Sequence, residues 1–404
     1  MYLFYIRLTS SLNRPASEGR VHWIWAAAIL SYAAIIPPIL SIDLYEYIMR
    51  GRMLELYGLN PFFYPPAAVS SDPMYPLIFW KNTCTTYGPL WSLISAWNIK
   101  LFGDNPTANI LSIKALMLIV HLLSAYVVYL LAEKIWPAAK QYITALYLFN
   151  PYIIFMNLVE NHNDIFMLFF MLLSLYLLKK NRFLLAITAI TLSTCIKYIS
   201  ILIAPFLFIY AFSSLPNMKT KLSFTIKSAL ISIALFSLAF APFRIYLWDI
   251  VGILQSIKLR LDTNTTTYLM YSLLQKAGLK ISTTSFQGLC DISFILVTLS
   301  LYIHFMIKNP RSMISLLNHS VGVFLAYLFI DSFQFGSWYM LWVTPLIILS
   351  GIKKKYVLFM LFTLAALISF WKRISFLLIG SSFIYAIFLF APAKGILANF
   401  LPDD

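Results

Sequence analysis

The sequence is poor in charged residues and in cysteine. Only 11% of its 404 residues are charged, whereas soluble domains are about 25% charged, and 61% are apolar, with a mean hydropathy of +0.80. A water-soluble fold cannot bury this much apolar surface, so the composition excludes ordinary soluble domains and predicts an all-α polytopic membrane protein. The three cysteines, Cys84, Cys195 and Cys290, have neither metal-ligand spacing nor the pattern of a disulfide framework.

Motifs for nucleotides and catalytic metals are also absent from the sequence. It has no GxxxxGKS or GxxxxGKT phosphate loop, no GxGxxG opening a Rossmann unit, no Asp-x-Asp pair for a nucleotide-sugar metal and no HExxH. Internal repeats, which are typical of many transporters, are not visible. The net charge of +15 could suggest a nucleic-acid partner, but in a membrane protein an excess of basic residues usually serves to orient the chain in the membrane. We therefore expect no nucleic-acid partner.

The predicted membrane spans form a single membrane domain, 1–404. A helix needs about 20 residues to cross the ~30 Å hydrocarbon core. The stretch 183–212 would make a helix of about 45 Å, which is too long for one upright span and short for two. It is either one tilted span or two short spans bent near Lys197, which gives about eleven or twelve spans in total. The other apolar runs are 21–40, 108–131, 141–158, 164–178, 222–241, 289–307, 314–331, 338–350, 355–370 and 374–391.

The basic residues of the first half of the chain predict its sidedness. Positively charged loops stay in the cytoplasm. Residues 41–107 are then the first outer loop, and 242–288 are the second long outer loop if there are twelve spans. No small-residue cleavage site follows the first apolar run, so we expect that run to be a retained span. The residues that set this orientation are Arg7, Arg14, Arg20, Lys179, Lys180 and Arg182.

The first outer loop begins with a predicted interfacial helix over 43–57. Gly58 and the following prolines end it. Asp43, Tyr47 and Arg50 share one face, and Glu46 can pair with Arg50 at i, i+4. Asp43 is either a first-turn carboxylate favoured by the helix dipole or a general base that the same dipole keeps ionised.

Two further polar segments lie in or beside this outer region. The segment 85–103 has an apolar part of about 14 residues, the length of a re-entrant or interfacial helix, and Pro89 suits its first position. Its Trp91 is either an interfacial anchor or a platform for a sugar ring. The turn NLVENHND, 157–164, carries more polar groups than a short turn needs. A metal site is the less favoured interpretation of it, and a solvated turn is the alternative.

Lys197 stands within the apolar stretch 183–212. An unpaired lysine at mid-membrane costs roughly 2.5–3.5 kcal/mol, so it is expected to face a cavity or a partner, or else to snorkel to an interface. Arg244 and Arg260 lie in the second long outer loop. Trp338 and Tyr339 lie at the predicted outer end of the span 338–350.

Taken in order, these motifs resemble glycosyltransferases of the GT-C fold. The resemblance is greatest to bacterial α-1,6-mannosyltransferases that use polyprenyl-phosphate-mannose, and it covers about residues 40–345. The matching motifs are D-x-Y-x-Y from Asp43, G-L-N-P from Gly58, T-x-Y-G-P-L-W ending at Trp91, N-P-Y…N-H-N-D from Asn150 to Asp164, Lys197 followed by Pro205, and W-Y-x-x-W-x-x-P from Trp338 to Pro345.

The resemblance implies transfer of a hexose, mannose being expected, from a polyprenyl-phosphate donor to a hydroxyl of a glycan or glycolipid acceptor, with inversion. Asp43 is the expected base, and Lys197, Arg244 and Arg260 are candidates for the donor phosphate. The candidate sugar or acceptor ligands are Tyr45, Tyr47, Arg50, Tyr87, Trp91, Glu160, His162, Asn163, Asp164, Trp338 and Tyr339.

These expectations extend to cofactors and location. No cofactor is expected, and a divalent metal is the less favoured option. The chain is expected in the inner or plasma membrane, in contact with membrane lipid, with its active site on the outer face. The alternative function is a polytopic transporter or a flippase of lipid-linked sugars, which needs no base aimed at an acceptor.

Overall fold

The computed structural model describes residues 29–245, 265–332 and 336–351, which form helices joined by turns and loops and contain no β-strand. Residues 29–35 are helical and precede the first outer loop. The helices that follow are α1 Asp43–Glu55, α2 Pro89–Phe102, α3 Pro106–Ile135, α4 Pro137–Leu148, α5 Pro151–Val159, α6 Asp164–Lys179, α7 Phe183–Ile196, α8 Tyr198–Ser214, α9 Met218–Phe243, α10 Thr266–Lys276, α11 Thr283–Lys308, α12 Met313–Asp331 and α13 Ser337–Ser350.

Several of these helices are long and apolar enough to cross a membrane, so the chain is an integral membrane protein. Within the described ranges α3, α9, α11 and α12 meet this criterion, and α4 with α5 forms a fifth candidate bent by 42°. The predicted spans 355–370 and 374–391 lie outside the described residues, as does the first part of 21–40. A total of eleven or twelve spans therefore stays a prediction.

The stretch 183–212 is broken at Lys197, as the two-helix interpretation predicts. Helix α7 ends at Ile196, the backbone of Lys197 is extended (φ −148°, ψ 121°), and α8 starts at Tyr198. The second long loop predicted at 242–288 is partly helical, because α10 lies within it and α11 begins at Thr283. The remainder of that loop, 246–264, lies outside the described residues.

The chain forms two compact units. The first comprises Met1–Ala204 and Leu215–Ile257, and the second Pro205–Ser214 and Lys258–Asp404. In the first unit α1 packs on α2, α3 packs on α4 and α6, and α7 packs on α6 and α9. In the second unit α12 packs on α11 and α13.

A glycine allows the close packing of α1 on α2. A Cβ built on Gly51 would lie 2.3 Å from the backbone oxygen of Ser95, so no larger residue fits there without separating the helices. Helix α1 itself matches the helix predicted over 43–57. It ends at Glu55, and Gly58, three residues further on, has a φ of +63°, a conformation that L side chains rarely adopt.

Candidate active site

Two ionisable residues far apart in sequence meet at the start of α1. Asp43 occupies the first position of α1, where its backbone N–H donates to the Ser41 hydroxyl. His162 lies in the turn between α5 and α6. Its Nδ1 is 3.1 Å from Oδ2 of Asp43, and its side chain is buried whereas that of Asp43 is 13% exposed. A carboxylate paired with an imidazole, and still reachable from outside, is an arrangement suited to proton transfer.

A second pair joins the start of α6 to the break after α7. The Lys197 ammonium lies 2.8 Å from both carboxylate oxygens of Asp164. Asp164 is completely buried, whereas the Lys197 side chain is 18% exposed. The turn 161–164 therefore supplies one partner to Asp43 and another to Lys197. The four residues form what we term the charged cluster.

The environment of Asp43 keeps its carboxylate ionised. Burial alone would raise its pKa, but the His162 hydrogen bond, the charges of His162 and Lys197, and the Tyr47 hydroxyl together outweigh that effect. The pKa of Asp43 is consequently lowered from the ordinary value of 3.8. The Asp43 carboxyl is therefore ionised at neutral pH, as that of a general base must be.

Tyr47 connects Asp43 to the turn 161–164 and to Tyr87 and Trp91, which we term the aromatic wall. Its hydroxyl donates to Asp43 Oδ2 at 3.4 Å and accepts from the backbone N–H of Asn163 at 3.1 Å. Its ring makes edge contacts with Tyr87 (5.1 Å) and Trp91 (4.9 Å). Burial raises the pKa values of both tyrosines well above 10, so both phenols stay neutral.

Glu160, a predicted sugar ligand, fixes the segment that precedes Asp43. Its buried carboxylate accepts hydrogen bonds from the backbone N–H groups of Ile39 (3.2 Å), Leu40 (3.0 Å) and Ser41 (2.5 Å). These bonds fix the segment that leads into α1. The sequence presents Glu160 as a sugar ligand, because nothing in the motif shows that this carboxylate binds backbone about 120 residues earlier.

Lys114 is a second positioning residue, and it was not among the predicted site residues. From α3 its ammonium donates to Asn161 Oδ1 at 2.7 Å and to the backbone oxygen of Leu158 at 3.0 Å. Asn161 has a φ of +57°, so this lysine supports the left-handed residue that turns the chain into His162. The signal was available, since Lys114 interrupts the apolar run 108–131 in the same way as Lys197 interrupts 183–212.

Gly88 brings the aromatic wall into contact with the end of α7, where the helix is broken at Lys197. Its N–H donates to the Ile196 oxygen at 3.0 Å. A Cβ on Gly88 would lie only 2.1 Å from the Cys195 backbone oxygen. The Tyr-Gly-Pro sequence therefore serves close backbone contact, and that contact places Tyr87 and Trp91 beside the charged cluster.

Arg50, a predicted sugar ligand, attaches the outer loop to α1. Its Nη2 donates to the backbone oxygens of Thr83 (2.6 Å) and Trp80 (3.3 Å), and its side chain is buried. The predicted pair with Glu46 forms at 3.7 Å, and Glu46 accepts from the N–H groups of Phe79 and Trp80. Burial raises the pKa of Glu46, and these bonds and Arg50 oppose the rise.

The remaining predicted ligands have different surroundings. The side-chain amide of Asn163 is buried and has no hydrogen-bond partner among the described residues, and the same holds for Asn157, which was not a predicted ligand. Tyr45 is half-buried and lies about 200° around α1 from Asp43. Arg244 is exposed and follows Phe243, whose oxygen accepts from the Asn60 amide at 2.6 Å.

Trp338 and Tyr339 belong to the second unit, where Tyr339 stacks on Trp342 at 4.5 Å. Arg260 lies outside the described residues. Within those residues no group of three or more His, Cys, Asp or Glu side chains is placed to hold a metal ion.

Helices that are long and apolar enough to cross a membrane define an integral membrane protein, and its charged cluster lies at the starts of α1 and α6 and the end of α7. The family described as "Alpha-(1->6)-mannopyranosyltransferase, N-terminal domain" matches residues 1–213. This is more than half of the chain, so the chain belongs to that family. The matched region includes the whole charged cluster, from Asp43 to Lys197.

A relative with a known name supports the same assignment. Alpha-(1->6)-mannopyranosyltransferase A of Corynebacterium glutamicum is 29% identical to this chain over 184 residues. The alignment covers 43% of this chain and 36% of the relative. The chain therefore matches little more than a third of that relative's length.

Proposed function

We propose that this protein is an integral-membrane α-mannosyltransferase that uses a polyprenyl-phosphate-linked donor and a hydroxyl of a glycan or glycolipid acceptor. The observation that carries the proposal is the charged cluster, in which Asp43 is anionic, partly exposed and hydrogen-bonded to His162. Membership of the family supports mannose as the sugar. A donor confined to the bilayer accords with a site that lies at the ends of membrane helices.

In the proposed reaction Asp43 takes the proton of the acceptor hydroxyl. The acceptor oxygen forms a bond to the anomeric carbon while the bond from that carbon to the phosphate oxygen breaks. The polyprenyl phosphate leaves with the electron pair and needs no protonation, because it is an anion. A single displacement of this kind inverts the anomeric configuration. His162 holds the Asp43 carboxylate in place during proton transfer and stabilises its charge.

Lys197 is the proposed cation for the leaving phosphate. An ammonium is a cation with N–H donors, both of which favour an anionic phosphate oxygen nearby. The exposed fraction of Lys197, 18%, makes that approach possible. Arg244 and Arg260 are further candidates from the second long outer loop. With these cations supplied by the chain, the proposed transfer requires no metal.

The amides of Asn157 and Asn163 are the proposed ligands of sugar hydroxyls, and because both are completely buried, the turn 157–164 must open to admit the sugar. Leaving an amide buried without a partner costs about 1–3 kcal/mol. A sugar has hydroxyls that both donate and accept, so it would satisfy the oxygen and the nitrogen of each amide. Tyr87 and Trp91 offer aromatic surface next to the same turn.

The decisive experiment uses the full chain purified with its lipids and a radiolabelled polyprenyl-phosphate-mannose donor. Asp43→Asn removes the charge and keeps the shape, so transfer to membrane acceptors should fall by about 10²–10⁴-fold. Donor binding should be retained. Glu55→Gln, an exposed carboxylate on the same helix, is the matched control and should transfer at the normal rate. Near-normal transfer by Asp43→Asn would overturn the assignment of the base, and equal use of the glucose donor would overturn that of the sugar.

A further inference from the structure

The first unit has a groove with basic and apolar walls. None of the four residues of the charged cluster lines it. Its volume is about 560 Å³, within the range of sites for small ligands. One wall is the turn between α6 and α7 with the start of α7, and the other is the first three turns of α9 with the preceding Leu215. The residues that line it are Asn181, Arg182, Phe183, Leu184, Leu185, Leu215, Lys219, Thr220, Ser223, Phe224 and Lys227.

The polar lining of the groove is positively charged. Lys219, Ser223 and Lys227 follow one another at intervals of four and therefore share one face of α9. Arg182 faces the groove from the opposite wall. All three cations are exposed, and within the described residues none is within salt-bridge distance of a carboxylate. No acidic side chain lines the groove. Its charge is therefore complementary to an anion.

The rest of the lining and the adjacent surface are suited to hydrocarbon. Phe183 and Phe224 meet edge to face at 6.3 Å and form part of the groove wall. On α9, exposed apolar side chains also recur at intervals of three or four, as on a helix that faces lipid: Met218, Leu222, Ile226, Leu230 and Ile233. The basic groove thus adjoins a surface that acyl chains would cover.

We propose that this groove binds a phospholipid with a net negative charge. The headgroup phosphate lies between Arg182 and the lysines of α9, and an acyl chain follows the apolar face of that helix. Basic pockets between transmembrane helices on the cytoplasmic side are typical binding sites for anionic headgroups. The basic residues 179–182 place the groove on that side by the positive-inside rule. The site is separate from the mannosyl transfer proposed above and does not depend on it.

Native mass spectrometry of the delipidated full chain tests the proposal. Phosphatidylglycerol and phosphatidylcholine with identical acyl chains are titrated onto the wild type, onto K219Q/K227Q and onto the control K308Q/R311Q. The control also removes two exposed basic residues, which are expected on the same side of the membrane but do not line the groove. Sodium phosphate without lipid is added as a competitor.

We expect the wild type to bind phosphatidylglycerol roughly tenfold more tightly than phosphatidylcholine. K219Q/K227Q should weaken phosphatidylglycerol binding by about the same factor, and K308Q/R311Q should leave it within about twofold of the wild type. Equal affinity for the two lipids, or equal losses in the two variants, would show that the groove is not the site. Displacement of the lipid by millimolar phosphate would identify a soluble anion as the occupant and would also overturn the proposal.

Discussion

The ammonium of Lys197 lies 2.8 Å from both carboxylate oxygens of Asp164, although 33 residues separate them in the chain. One partner stands at the break between α7 and α8, and the other at the first position of α6. From the sequence alone Lys197 was expected to face a cavity or a partner, or else to snorkel to an interface. The structure shows the partner: Asp164 is completely buried, and removing Lys197 would take away the cation that both of its carboxylate oxygens contact.

Lys197→Met should therefore destabilise the protein by roughly 3–5 kcal/mol, the usual cost of breaking a buried ion pair by removing one partner. Thermal unfolding in detergent measures this loss. The double variant Lys197→Met with Asp164→Asn removes both charges and should recover much of the stability. Lys308→Met, at an exposed position, is the control and should unfold as the wild type does. Additive losses in the double variant would show that the two charges are not coupled.

The pH dependence of transfer should report the environment of Asp43. Because the pKa of Asp43 is lowered, the acid limb that it causes in the rate profile should lie below pH 3.8. His162→Phe removes the largest of the interactions that lower this pKa and leaves the effect of burial, so the limb should move to higher pH. Tyr47→Phe removes a smaller contribution and should move it less.

The lowered pKa of Asp43 also makes the stability of the fold depend on pH. A carboxyl with a lowered pKa in the folded state stabilises the fold above its unfolded-state pKa, and this contribution is lost as the pH falls through the folded value. His162→Phe should therefore reduce stability at neutral pH and flatten its dependence on acid. An unchanged acid limb in His162→Phe would mean that another group sets the profile.

Elements with a strong local signature were predictable from the sequence. Helix α1 was expected over 43–57 and is found at Asp43–Glu55, because Gly58 and the prolines specify its end locally. The long apolar helices and the break near Lys197 follow from the same kind of local evidence.

Partners that depend on tertiary approach were not predictable. The motif around Glu160 and the face of Arg50 on α1 both suggested ligands, yet both side chains bind backbone of other segments. A pattern of polar residues indicates that these side chains form hydrogen bonds, but it does not identify their partners. Only the fold shows that Asp43 meets His162 and that Lys197 meets Asp164.

Glu160→Gln tests the positioning role of this carboxylate. The amide keeps the shape but loses the charge, and its NH₂ group cannot accept from the backbone N–H groups of Leu40 and Ser41. Hydrogen bonds to charged groups contribute about 1.5–3 kcal/mol, so both stability and kcat should fall, with little change in the KM for donor. Glu55→Gln, which is exposed, serves as the control. A rise in KM at constant kcat would instead indicate direct contact with the sugar.

Gly88→Ala should separate the aromatic wall from the Lys197 break. The added methyl group meets the backbone of Cys195, which cannot move away as a flexible side chain would. Overpacking of this kind costs typically about 1–3 kcal/mol, and transfer should fall because Tyr87 and Lys197 are displaced. Gly288→Ala, in α11, meets no atom within 4 Å and should be neutral or slightly stabilising. Equal stability of the two variants would contradict the close contact at Gly88.

Cysteines introduced at exposed positions can test on which side of the membrane the charged cluster lies. Ser70 lies in the predicted outer loop and is exposed. In a Cys84→Ser background, which removes the one partly exposed natural thiol among the described residues, Ser70→Cys should react with an impermeant maleimide in intact cells. Lys180→Cys, at the basic turn after α6, should react only after permeabilisation, because the positive-inside rule places it in the cytoplasm. The opposite pattern would place Asp43 and its partners on the cytoplasmic face, where the donor would have to be presented from the inner leaflet.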